Sequence, residues 1–313
     1  MQNILVTGGR GYIGSHIVES LLNSGKNVRI LDDMSSALPV EIPLGVDFVQ
    51  ASTLDLSSLV SALKGIDAVI HLAAKKSVNE SLTNPEKYFN ENSFGTWNLL
   101  YAMKLQGTRQ IIFSSTAAVY DPLTSQGVHE LSPINPSSPY GASKKFCENL
   151  IENFCQHYGF RGVVLRYFNV VGANGNKLRD IYGTGLFPSL ASNLANNKRP
   201  IIFGDDYKTK DGTAIRDFIH VSDLADAHVL AFNAFGSTSN FQVYNVGTNI
   251  GHSVLEVVNL FAEVTGKDFD IDFQPKRLGD IPVSVSNSHK IRIELGWTHK
   301  FNLREMVESA IAK

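Results

Sequence analysis

The apolar pattern opens on a short run, Ile4-Leu-Val-Thr7, of the kind that a strand covered on both faces requires. A glycine-broken stretch, Gly8-Gly-Arg-Gly11-Tyr-Ile-Gly14, leads into a helical pattern over 15–23. The alternation then repeats. Val28-Arg-Ile-Leu31, residues 46–50, Ala68-Val-Ile-His-Leu72, Gln110-Ile-Ile-Phe113 and Val163-Val-Leu-Arg166 predict strands. Residues 55–63, a long 85–106 and 140–157 predict the helices between them. Strand and helix in turn predict an α/β fold, a doubly wound parallel sheet of Rossmann type.

The pattern changes after about residue 170. A Gly/Asn-rich loop over 172–185 comes first, then a helix from Ser222, a strand over 243–246 and a closing helix over 303–312. We read 1–169 as a dinucleotide-binding domain and 170–313 as a smaller C-terminal α/β substrate lobe over the sheet's ligand edge. Elements from about 216–247 are expected to return to the first domain.

Composition narrows the function classes. Of 313 residues, 43% are hydrophobic and 19% charged, as in an ordinary globular chain. A net charge of −2 gives no general pull toward nucleic acid or anionic membrane, so an anionic ligand would need individually placed arginines. No apolar run reaches the ~18 residues of a membrane span, and no basic, apolar leader opens the chain. Cys147 and Cys155 would lie about 12 Å apart on one helix, too far for a disulfide. Both read as buried apolar residues in a reducing, cytoplasmic setting. The nine histidines show no ligand spacing, so no metal is expected.

The glycine turn carries the first chemistry. Glycines at 8, 11 and 14 put bare backbone where a helix N-terminus offers free N–H groups to a pyrophosphate. Asp32 ends the second strand, where a carboxylate takes the adenosine ribose hydroxyls and repels a 2′-phosphate; that favours NAD over NADP. Ligands of such sheets sit at the strands' carboxyl ends, where Gly8, Asp32, Ala73, Ser114 and Thr116 all fall. Ser114 and Ser115 lack the Gly-x-Ser-x-Gly setting of a hydrolase nucleophile. Tyr140-Gly-Ala-Ser-Lys144 places a phenol and an ammonium one helical turn apart. The lysine can favour ionisation of the phenol, making a base near neutrality, but the spacing fits a plain amphipathic helix start equally well.

Together these stretches resemble the extended short-chain dehydrogenase/reductase family, and within it the UDP-glucose 4-epimerases. The matching motifs are Thr7-Gly-Gly-Arg-Gly-Tyr-Ile-Gly14, Phe113-Ser-Ser-Thr-Ala-Ala-Val-Tyr120, Ser138-Pro-Tyr-Gly-Ala-Ser-Lys144, Leu165-Arg-Tyr-Phe-Asn169 and Asp211-Gly-Thr-Ala-Ile-Arg-Asp-Phe-Ile-His220. The resemblance implies inversion at C4 of a UDP-hexose through a transient 4-keto sugar, with a tightly held NAD recycled in each turnover. Tyr140 would be the base, Lys144 its partner on the nicotinamide ribose, and Thr116 the bridge between substrate oxygen and Tyr140. Gly8, Gly11, Tyr12, Ile13, Gly14, Asp32, Ala73, Lys76, Asn92, Ser114 and Tyr167 would contact NAD, with Tyr140 and Lys144. Asn169, Leu186, Phe203, Arg216, Arg277, Asp280 and Ser284 would contact the UDP-sugar.

This chain also departs from the family. Ser52 stands where an acid commonly holds the adenine amine, Val170 where proline is frequent, and Gly185 where an asparagine often touches the diphosphate. Ser284 replaces a bulky tyrosine of glucose-restricted members, leaving room for an N-acetyl group. Rival readings are a 4,6-dehydratase, a UDP-glucuronate epimerase or decarboxylase, and a non-catalytic NAD sensor. Ala117 and Ala118 cannot relay the protons that dehydration needs, and an intact Tyr140, Lys144 and Thr116 argue against a sensor. The resemblance further implies a homodimer pairing the 90–106 and 140–157 helices.

Overall fold

The computed structural model describes residues 2–123, 127–175, 178–181, 183, 185–237, 239–277 and 279–311. Its first half runs β1 (Asn3–Thr7), α1 (Tyr12–Asn23), β2 (Asn27–Asp32), β3 (Asp47–Gln50), α2 (Leu56–Ala62), β4 (Ala68–His71), α3 (Val78–Thr83), α4 (Pro85–Tyr88), α5 (Gly95–Gln106), β5 (Gln110–Thr116), α6 (Pro139–Tyr158) and β6 (Arg161–Tyr167). The second half runs β7 (Asn169–Val171), α7 (Leu186–Ala195), β8 (Ile201–Phe203), β9 (Ile215–His220), α8 (Val221–Asn233), β10 (Phe241–Val246), β11 (Gly251–Ser253), α9 (Val254–Thr265), β12 (Asp272–Gln274), β13 (Val283–Ser284), α10 (His289–Leu295) and α11 (Leu303–Ile311). Ala312, the expected last residue of the closing helix, lies outside the described residues, as do 176, 177, 182 and 184 of the Gly/Asn-rich loop.

Seven strands form the main sheet in the order β10-β6-β5-β4-β1-β2-β3, every pairing parallel. Side chains alternate across it, as strand geometry demands. Ile4 and Val6 join a core with Ile17, Leu21, Leu224 and Phe232 of α1 and α8. Leu5 joins a core on the opposite face with Leu59, Leu99, Met103, Cys147 and Ile151 of α2, α5 and α6. Burial on both faces explains the continuous apolar runs. The order reverses at β1, the place where such sheets bind ligands beyond their carboxyl ends.

Two elements differ from the sequence expectation. The predicted long helix over 85–106 is interrupted by a π-helical segment, Phe89–Phe94. The interruption accompanies an inward-turned Asn92, whose amide holds the Lys75 backbone in both directions, accepting from its N–H at 2.8 Å and donating to its carbonyl at 3.1 Å. Of the elements over 216–247, β10 pairs in the main sheet and α8 packs against it. β9 instead forms a four-stranded sheet with β7, β11 and β13. The reason is chemical: Asp217 of β9 is fully buried and accepts from Thr248, Asn249 and Ser286, which only the neighbouring loops supply. Phe218 packs into a third core with Phe187, Val257, Phe261 and Met306.

Candidate active site

The glycine turn is built as the sequence suggested. Gly8 has φ +71°, and a Cβ there would lie 2.7 Å from the Ala73 amide nitrogen. A Cβ on Gly14 would lie 2.2 Å from the Gly8 carbonyl oxygen, so β1, α1 and the loop after β4 meet only because both residues are bare. Gly11 precedes α1 with no side chain capping the helix, which leaves the first-turn N–H groups of Tyr12, Ile13 and Gly14 without a side-chain acceptor. Asp32, buried at the end of β2, accepts from the backbone of Arg10 at 2.9 Å and of Met34 at 2.8 Å. Burial pushes its carboxyl up, and those two amides hold it back. Each oxygen keeps acceptor capacity for a ribose hydroxyl. Bare turn, uncapped helix start and carboxylate are the donor set that a dinucleotide needs, and they fit NAD.

Tyr140 owes its place to helix packing. Ser138 caps α6 by accepting from Gly141 N at 3.2 Å, and Pro139 starts the helix. A Cβ on Gly141 would fall 2.3 Å from the Ala118 carbonyl oxygen, so the helix start lies directly on the turn after β5. That approach sets the Tyr140 phenol beside Thr116, whose side chain acts on its ionisation. One turn on, the buried Lys144 donates to the Ser114 carbonyl at 2.8 Å. Burial pushes the Tyr140 phenol up to about 12, with Thr116 opposing, and lowers Lys144 to about 8. One of the three Lys144 N–H donors goes to Ser114, and the ammonium makes no hydrogen bond to the phenol. Tyr140 needs further positive charge beside it to ionise near neutrality.

A buried ion pair fixes α6 to the sheet. Glu148 takes two hydrogen bonds from Arg166 of β6, at 2.9 and 2.7 Å, and one from Ser115 at 2.6 Å. Burial works against its charge, yet Arg166 and Ser115 hold the carboxyl below its usual range. Beneath the glycine turn, the Thr96 hydroxyl donates to Asn92 O at 2.6 Å, so His71 Nε2–H donates to Thr96 at 2.9 Å. His71 Nδ1 is then the acceptor for Thr7, at 2.7 Å. Tyr167 points inward. His228 Nδ1–H donates to the Leu224 carbonyl at 2.9 Å, so its Nε2 accepts from the Tyr167 hydroxyl at 2.5 Å. None of Glu148, His71 or His228 was singled out as functional from the sequence. A polar histidine ending the otherwise apolar run of β4 was the one available signal.

The expected sugar-nucleotide residues converge in the second half. Arg216 of β9 donates to Asp280 at 2.6 Å, and the Arg277 guanidinium lies 3.8 Å over the Phe203 ring. Ser284 is the register partner of Arg216, and Asn169 donates to the Asp217 carbonyl at 3.3 Å. Leu186 opens α7 and packs against the third core. Other expected residues have partners of their own. Lys76 pairs with Asp180 at 3.6 Å, Tyr12 donates to Gly172 O at 2.6 Å, and both polar ends of Asn92 are occupied. Ser52 accepts from Leu54 N at 3.1 Å in a local turn.

A parallel sheet with a bare phosphate turn and a Tyr–Thr–Lys cluster at its carboxyl edge defines a class. Residues 4–247 match the family model described as the NAD dependent epimerase/dehydratase family, and the chain belongs to that family. Within it, the full-length likeness is to UDP-glucose 4-epimerases. The enzyme of that name from Corynebacterium glutamicum is 37% identical, covering 99% of this chain and 94% of its own. A UDP-glucose-4-epimerase from Stenotrophomonas maltophila, crystallised with NAD and formylated UDP-arabinopyranose, superimposes with TM-score 0.92 at 36% identity over 99% of this chain and 97% of that one. The UDP-Glc/GlcNAc 4-epimerase of Campylobacter jejuni gives TM-score 0.87 at 36% identity over 99% and 98%.

Proposed function

We propose that this chain is an NAD-dependent isomerase that interconverts UDP-glucose and UDP-galactose by inverting C4 of the hexose. The seating of Gly141 on Ala118 carries the reading, because it aims Tyr140 at Thr116 with Lys144 one turn below. Bound NAD supplies the acceptor for the C4 hydride and a positive charge on its nicotinamide ring. Tyr140, as phenolate, takes the 4-OH proton, Thr116 orients that hydroxyl, and Lys144 supplies the chain's own positive charge beside the phenol. Once the 4-keto sugar has turned its other face, C4 would regain the hydride there and Tyr140 would return the proton to the oxygen. Arg216 and Arg277 suit the diphosphate, because a guanidinium fork matches phosphate oxygens. We read 1–169 with α8 and β10 as the cofactor lobe and the remainder as the sugar-nucleotide lobe.

The same reading includes a homodimer and a cytoplasmic setting. Phe94, Trp97, Tyr101 and Leu105 of the 89–106 segment and Phe146 of α6 are exposed large hydrophobics on neighbouring helices. Cys147 and Cys155 are buried and unpaired, and among the described residues no helix is long and apolar enough to cross a membrane.

The test is to incubate the protein as purified, without added cofactor, with UDP-galactose and to identify the product by NMR. UDP-glucose is expected. Tyr140→Phe should lower kcat by roughly 10²–10⁴-fold. Full activity in that variant would sink the mechanism.

A further inference from the structure

The loop between β8 and β9 holds a hydroxyl that the protein does not use. Tyr207 is 8% exposed, yet its phenolic oxygen is buried and has no hydrogen-bond partner among the described residues. The loop is not loosely built. Tyr207 N donates to Gly212 O at 2.9 Å, and Thr209 N returns to Tyr207 O at 2.8 Å. Gly204 adopts φ +84°, and a Cβ there would strike the Tyr207 ring at 2.5 Å, so the ring lies against bare backbone. The Lys276 ammonium sits over the ring, 4.6 Å from its centroid. A side chain this well placed, with an orphaned polar end, calls for an explanation, because buried polar groups are otherwise paired.

The surroundings say what kind of partner is absent. The charges that act on the phenol are Asp280, Arg216, Asp206 and Arg277. Both guanidiniums carry only donors and cannot accept the phenolic proton. Asp280 pairs with Arg216, and Asp206 with Lys276 at 2.8 Å, and neither acid accepts from the phenol. The fitting occupant is an anionic oxygen that accepts from two arginines and a phenol together. Resting on the reading of this cluster as the sugar-nucleotide site, we propose that Tyr207 is a binding residue whose hydroxyl donates to the diphosphate of the substrate. Nothing in the sequence pattern marked it, since a tyrosine in a polar loop reads as a packing residue.

The proposal makes two effects of one change run in opposite directions. Tyr207→Phe keeps the ring and removes only the hydroxyl. Without UDP, thermal melting of the NAD-loaded variant should rise relative to wild type, because an unpaired buried donor is gone. UDP binding by calorimetry should weaken roughly tenfold, the loss of one hydrogen bond to a charged acceptor. Uridine, which lacks phosphate, should bind both proteins alike. Unchanged UDP affinity overturns the proposal, and so does equal weakening of UDP and uridine, which would assign the hydroxyl to the nucleoside. A lowered melting temperature or failure to fold also overturns it, since the hydroxyl would then have a structural role. Wild-type protein that binds no UDP would instead remove the sugar-nucleotide reading itself.

Discussion

Tyr140 and Lys144 show how far a residue's chemistry depends on its neighbours. Burial outweighs its opponents and drives the phenol up to about 12 and the ammonium down to about 8, both away from what a base near neutrality needs. The proposed base therefore needs added positive charge beside the phenol. Ser284 presents the converse case, a residue whose smallness is its contribution. It stands opposite Arg216 in the β13–β9 register, within the proposed sugar-nucleotide site. Turnover of UDP-N-acetylglucosamine is thus expected beside UDP-glucose, as the name of the Campylobacter neighbour describes for that enzyme. Ser284→Tyr should shift the ratio of the two kcat/KM values against the N-acetyl sugar by roughly 10–100-fold. An unchanged ratio would mean that another wall sets the space.

At the scale of elements, α6 works through its first turn. The approach of Gly141 to the Ala118 carbonyl leaves no room for a methyl, and the atom it would meet is backbone. Gly141→Ala should push the helix start off the turn after β5. Overpacking of this kind destabilises by roughly 1–3 kcal/mol. Activity should fall further than stability, about a hundredfold in kcat, because a small misplacement of reacting groups has effects of that order. Urea denaturation and steady-state kinetics on the same variant check both parts. The remainder of α6 would stay seated, since Glu148 and Arg166 anchor it near its middle. The π-helical segment Phe89–Phe94 belongs to the same logic: it turns Asn92 inward to set the Lys75 loop beside the glycine turn.

Across the whole molecule, four buried histidines couple the fold to acid. Burial lowers His16, takes His71 to about 3, and takes His220 and His228 to about 4. Each folded value lies below the unfolded value near 6.5, so the unfolded chain binds more protons once the pH drops below 6.5. Stability is therefore lost as pH falls from 6.5 toward 4. Roughly 1–2 kcal/mol for each of His71, His220 and His228 should be gone by pH 5. Equal urea midpoints at pH 7 and pH 5 would contradict this. Assembly is the second property at this scale. Phe94, Trp97, Tyr101, Leu105 and Phe146 are exposed large hydrophobics, the kind of surface that the proposed dimer would cover. Light scattering at micromolar concentration should give twice the 34.3 kDa chain mass, and a monomeric mass would count against the dimer.

The sequence by itself determined the class of fold and nominated the proposed reacting groups. Those features are local: period and glycine spacing place β1, α1 and Asp32, and one helical turn separates Tyr140 from Lys144. Tertiary structure decided everything that requires two distant segments to meet. β9 left the main sheet because Asp217 found its donors in Thr248, Asn249 and Ser286, a match that no local pattern announces. The break in the 85–106 helix follows from Asn92 reaching Lys75 across 17 positions. Tyr207 became a candidate binding residue only when folding buried its hydroxyl without a hydrogen-bond partner among the described residues, in the field of Arg216, Arg277 and Asp280. Periodicity is written along the chain, whereas the pairing of buried polar groups is settled only once the chain has closed on itself.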